Sequence, residues 1–123
     1  MKFSELSNRV IGCAIEVHRI LGPGLLESAY EQCLAHEFSI NGIDFKIQEP
    51  FPIEYKGILL ECGYRVDLLV EGEIILELKS VAELKGIHEA QLLTYMKLAK
   101  IKQGFLINFN VPRLKDGLRS FVL

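Results

Sequence analysis

The spacing of apolar and polar positions changes period along the chain. Leu6, Val10, Ile11, Ala14, Ile15, Val17 and Leu21 recur every three to four residues, which predicts an amphipathic helix over about Ser4 to Ile20. Gly22-Pro23-Gly24 ends it, since glycine lacks the Cβ constraint and proline lacks the N–H. Leu26, Ala29, Tyr30, Cys33, Leu34 and Phe38 predict a second helix over about Leu25 to Ile40, left through Asn41-Gly42. From Phe45 the period shortens. Phe45, Ile47, Phe51, Ile53 and Tyr55 tend to alternate, but Pro50 and Pro52 cannot donate to a ladder, so this is an edge or bulged strand. A turn at Lys56-Gly57 leads to two β-rich segments, Ile58 to Val70 and Glu73 to Val81, expected to pair antiparallel. Ala82 to Ala99 is predicted helical, Ile101 to Asn108 a strand, and Arg119 to Leu123 a last short strand. The order α-α-β-β-β-α-β predicts a mixed sheet flanked by helices.

The register between the two β-rich segments decides what they carry. A two-residue loop at Glu71-Gly72 would pair Asp67 with Leu76 and turn Glu77 to the other face. A three-residue loop, with Gly72 left-handed in a bulged turn, returns Asp67 and Glu77 to one face, with Lys79 two residues on. Two carboxylates and an ammonium would then meet. Carboxylate oxygens suit Mg²⁺ or Mn²⁺, and a lysine beside such an ion orients a water or neutralises charge building on a phosphate. The requirement for an odd loop is therefore a structural expectation.

Composition narrows the classes. The chain has 123 residues, which fits a single domain over residues 1–123, and half of them are hydrophobic. There is no run of about 18 apolar residues, so no membrane span is expected. MKFSELSNRV is polar where a signal peptide is apolar, so a cytoplasmic protein is the expectation. Cys13, Cys33 and Cys62 are too widely spaced for a zinc pattern and read as reduced, mostly buried thiols. The net charge of −2 is not that of a protein that binds nucleic acid through a broad basic field. A divalent cation at an acidic site would reverse the local sign.

Asp67 and Glu77-Leu78-Lys79 on a hairpin, followed by a helix, resemble the PD-(D/E)XK nuclease superfamily. Gly24, Glu27 and Tyr30 in GPGLLESAY match the GxxExxY signature of one family within it. The likeness extends through Glu16-Val17-His18, His88-Glu89-Ala90-Gln91, Tyr95 and Ile107-Asn108-Phe109, almost the whole chain. Val66 replaces the proline that the superfamily's name includes. The resemblance implies a restriction-endonuclease-like α/β core with a central mixed four-stranded sheet. It implies Mg²⁺- or Mn²⁺-dependent hydrolysis of phosphodiester bonds in DNA or RNA. By position, Asp67 and Glu77 would hold the metal with the Leu78 carbonyl, Lys79 would assist the water, and Glu27 would complete the site from its helix. Gln91 and Tyr95 occupy the QxxxY positions on the helix after the hairpin.

Each of these residues also has a structural reading. Glu77 and Lys79 suit the solvated side of a half-buried strand, and Glu27 complements a helix dipole. Tyr30 either supports the site or is core with its hydroxyl satisfied. Gln91 and Tyr95 share a helix face, and either orient a site residue or substrate phosphate or are ordinary packing. His18 reads as structural, His88 as structural or at the edge of the site, and His36 as surface. Function therefore has two readings: a small metal-dependent nuclease, or a non-catalytic nucleic-acid- or protein-binding module on the same fold. A homodimer is a further expectation, because so small a core has little surface to wrap a duplex.

Overall fold

A computed structural model describes residues 3–123. The first helix, α1 (Glu5–Leu21), starts where the Ser4 hydroxyl accepts the Ser7 N–H at 3.1 Å and stops at Gly22, whose φ of 69° is left-handed. The second, α2 (Glu27–Ile40), begins two residues later than its apolar stripe suggested. Leu26 is 77% exposed rather than part of the stripe. At its C-terminal end Gly42, not Asn41, takes the left-handed conformation.

Five strands form the main sheet in the order β1-β4-β5-β6-β7, one more than the four expected. They are β1 (Phe45–Pro50), β4 (Arg65–Val70), β5 (Ile74–Lys79), β6 (Gln103–Asn108) and β7 (Leu118–Val122). Only the β5–β6 pair is parallel, its crossover made by α3 (Gly86–Ala99), and the other neighbours are antiparallel. The segment Ile58 to Val70 is not one strand. Ile58–Leu60 is β3 of a separate two-stranded hairpin with β2 (Ile53–Tyr55), and residues 61–64 turn the chain into β4. Lys56 and Gly57 at that hairpin's tip have φ of 50° and 82°, the pair of positive values a type I′ turn needs. The helix expected from Ala82 begins at Gly86, because residues 80–85 form the loop that leaves β5.

Two apolar layers sandwich the sheet. Val10, Ala14, Tyr30, Leu34 and Phe38 of α1 and α2 cover Leu68, Leu76, Leu78, Phe105 and Ile107 on one face. Leu92, Tyr95 and Met96 of α3 cover Ile75 and Leu106 on the other. Strand β5 is thus buried on both faces, as a strand with a parallel neighbour usually is. Among the cysteines only Cys13 is buried. Cys33 and Cys62 are exposed, contrary to the expectation of mostly buried thiols. No described helix is long and apolar enough to cross a membrane.

Candidate active site

The site lies where β4 and β5 part. Their loop is the three-residue Glu71-Gly72-Glu73, since Val70 pairs with Ile74, Leu69 with Ile75 and Leu68 with Leu76. Glu71 and Gly72 both have positive φ, 53° and 67°, and the Glu73 N–H closes the turn on the Val70 carbonyl at 2.9 Å. The left-handed conformation therefore extends over two residues rather than Gly72 alone. The odd loop sets Asp67 opposite Glu77, as the sequence required.

Backbone pairing stops at Leu68–Leu76. Beyond it the carboxylates take over. The Leu78 N–H donates to Asp67 Oδ2 at 2.8 Å, and the Asp67 N–H donates to Glu77 Oε1 at 3.2 Å. Each acid satisfies an amide that the diverging strands leave without a ladder partner, so both are held rigidly and close together. Gln48, on β1, adds a third contact. Its φ of 52° takes it out of the β1–β4 ladder, and its Nε2 donates to Asp67 Oδ1 at 3.2 Å and Glu31 Oε1 at 2.9 Å.

A cleft of about 340 Å³ opens over this fork. Glu27, Asp67, Glu77 and Lys79 all line it, although they come from α2, β4 and β5, and so do Leu78, Gln91 and Tyr95. Glu27 reaches it because the preceding loop is tied on two sides. Tyr30 Oη donates to the Gly22 carbonyl at 2.7 Å and accepts the Leu25 N–H at 3.1 Å, while Ser80 Oγ donates to the Leu25 carbonyl at 2.5 Å. Tyr30 itself is fully buried, stacked on Phe109 at 4.4 Å, and is not part of the cleft wall. It positions the loop before Glu27 from behind. Lys79 sits at the C-terminal end of β5, where its carbonyl accepts the Phe109 N–H at 2.9 Å. From α3, Gln91 Nε2 donates to the Tyr95 hydroxyl at 3.0 Å.

The electrostatics are those of crowded acids. Burial pushes the Glu77 carboxyl up to about 8, and the neighbouring Asp67 charge pushes the same way. The Asp67 amide and Lys79 pull it down, and Glu27 adds a smaller upward push. Burial likewise raises Tyr95, with Glu77 next in effect. A cation would relieve this repulsion. Among the described residues no three His, Cys, Asp or Glu side chains form a ready metal cage. The donors here are two hard carboxylates, a set that suits an ion retaining much of its hydration or taking substrate oxygens.

Three of the residues shaping the site carried no sequence signal that singled them out, and a fourth carried only a faint one. Gln48, Glu31 and Arg65 line the cleft, but the first is placed by an unusual φ and the others by tertiary approach. Asn108, buried opposite Lys79, accepts the Val81 N–H at 3.1 Å and donates to the Val81 carbonyl at 2.9 Å, clamping the exit of β5. The Ile107-Asn108-Phe109 match was its only trace. The histidines stand apart from the acids. His18 Nε2 pairs with the Val111 carbonyl at 2.8 Å, His88 Nδ1 accepts the Lys85 N–H at 3.0 Å at the start of α3, and His36 is exposed.

A mixed sheet with helices on both faces and acids in a parted strand pair defines a restriction-endonuclease-like α/β core. Residues 4–121 match the family described as PD-(D/E)XK nuclease superfamily, and the chain belongs to that superfamily. No curated protein and no solved structure gives a match.

Proposed function

We propose that this protein hydrolyses phosphodiester bonds of DNA or RNA with Mg²⁺ or Mn²⁺ as cofactor. One observation carries the reading: the β4–β5 fork holds Asp67 and Glu77 together at the cost of a carboxyl raised to about 8, beside Lys79. A cation at the fork would offset the mutual repulsion of the two acids, which supports the reading. Asp67 and Glu77 would hold the ion, with the Leu78 carbonyl as a further oxygen donor. The bound ion would supply Lewis acidity and a hydroxide-like nucleophile near neutral pH.

The chain's own groups do the rest. Lys79 donates to the attacking water and to the phosphate oxygens on which negative charge builds. Glu27, entering from α2, accepts a hydrogen bond from that water and fixes its direction. Gln91 and Tyr95 orient the phosphate from α3, and Arg65 at the cleft wall attracts the backbone. The net charge of −2 favours a second reading, a binding module that keeps the fold without the reaction.

Cleavage assays on single- and double-stranded DNA and RNA with Mg²⁺ or Mn²⁺ decide between them. The nuclease reading expects hydrolysis that EDTA abolishes. In Lys79→Ala, kcat should fall on the order of 10²–10³-fold, far more than KM rises. Absence of cleavage on every substrate favours the binding module. Full activity in Lys79→Ala rejects the role given to that residue.

A further inference from the structure

The cleft has an apolar neighbour. A recess of about 450 Å³ opens between the β2–β3 hairpin and α3, walled chiefly by Ile53, Tyr64, Ile87, Thr94, Tyr95 and Leu98. Its volume falls in the range of small-molecule sites, roughly 300–1,000 Å³. Gln91 and Tyr95 line both the recess and the cleft, so the two cavities adjoin. The Tyr64 and Tyr95 rings meet edge to face with centroids 6.0 Å apart, and Tyr64 remains 42% exposed. Gln91, Thr94 and Tyr95 supply the few polar groups that an otherwise apolar pocket needs to orient a ligand.

The hairpin prolongs this surface. Its cross-strand pairs, Ile53 with Leu60 and Tyr55 with Ile58, place four apolar side chains on one face, starting from Ile53 in the recess wall. At its far end the Lys56 ammonium lies 5.5 Å from the centre of the Tyr55 ring. Arg65 and Lys79 line the adjoining cleft. Isolated cations thus flank an aromatic and aliphatic surface. That arrangement suits a single strand, whose phosphates need a few positive charges and whose bases need faces to stack on.

We propose that the recess receives an unstacked base of a single-stranded nucleic acid whose phosphodiester lies in the cleft, so that the substrate is single-stranded. The inference rests on the phosphodiester reading of the cleft and names its substrate class. Bases in a duplex are stacked and paired, and cannot enter until they are unpaired and unstacked. Exposed bases gain by covering tyrosine faces. An acidic chain also lacks the broad basic field that holds a duplex. The competing occupant is a second copy of the chain laid on the same apolar face.

The test measures binding of a short fluorescein-labelled single strand, and of its duplex, to the full chain in EDTA, so that no cleavage intervenes. Sedimentation of the same samples reports the oligomeric state. Tyr64→Ala should weaken single-strand binding about 5- to 150-fold, the range base–aromatic stacking gives. Tyr64→Phe should retain it, Tyr55→Ala should weaken it less, and the duplex should bind more weakly and be indifferent to all three. Equal affinities for duplex and single strand that ignore Tyr64→Ala overturn the proposal. So does a dimer that Tyr64→Ala splits with no change in oligonucleotide affinity. The two readings fail separately. Tyr64-dependent single-strand binding without cleavage in Mg²⁺ or Mn²⁺ sinks hydrolysis and supports the recess. Cleavage at equal rates on both substrates, unaltered by Tyr64→Ala, overturns the recess and leaves hydrolysis standing.

Discussion

Glu77 concentrates the tension in the molecule. Its carboxyl is buried, bonded to the Asp67 amide, and pushed up to about 8 by burial and by Asp67. Unfolded, it would titrate near its ordinary 4.5. Between these values the native state keeps a proton that the unfolded chain releases, so stability must fall as pH rises through that window. Below about 4.5 the contribution is fully present, and above about 8 it is lost. In EDTA, urea unfolding of the wild type relative to Glu77→Gln should lose stability between pH 5 and 8, with a slope of at most about 1.4 kcal/mol per pH unit. A flat difference across that range would mean that Glu77 is ionised without a cation. The convergence of Asp67, Glu77 and Lys79 on one cleft was legible in the sequence, because chemistry-bearing residues interrupt apolar strands there. Gln48 was not, since its role depends on a positive φ that a glutamine does not advertise. Tyr30 was legible as a motif position but not in its task, because only the fold reveals that its hydroxyl bridges Gly22 and Leu25.

At the scale of elements, period and turn chemistry located α1, α2, β5 and β6 well, and the need for matching faces fixed the odd loop at Glu71–Glu73. The departures share a cause: local composition does not report tertiary placement. Ile58 to Val70 looked like one strand, yet Gly63 at φ 76° turns the chain and releases β2–β3 as an exposed hairpin. Ala82 to Lys85 has helical composition, but Val81 is held in a loop by Asn108. That clamp depends on close packing against the 3₁₀ turn Leu114–Gly117. A Cβ added at Gly117 would come within 2.0 Å of the Asn108 carbonyl oxygen. Backbone cannot yield as a side chain does, so Gly117→Ala should cost about 1–3 kcal/mol or more. Because Asn108 lies opposite Lys79, the variant should also lower cleavage at temperatures where it remains folded. Chemical denaturation paired with the activity assay checks both. Unchanged stability would show that the turn relaxes freely and that Asn108 does not depend on it.

The molecule as a whole is acidic at −2, and its cations near the cleft and recess are few. If Lys56, Arg65 and Lys79 are the charges that meet phosphates, single-strand affinity should fall with salt at a log–log slope of about −2. A slope several times steeper would point to a broader basic surface elsewhere, such as one drawn from Lys97, Lys100, Lys102, Arg113, Lys115 and Arg119. The architecture places a buried Glu77 beside a half-buried Asp67 where β4 and β5 separate, an arrangement that a cation would relieve. The most direct measurement is therefore calorimetric titration of the EDTA-treated, dialysed protein with Mn²⁺, for the wild type and Asp67→Ala. The account predicts a divalent ion bound at the fork in the wild type and no such binding in Asp67→Ala, which should stay folded in EDTA. Equal Mn²⁺ affinity in both proteins, or none in the wild type, would contradict it.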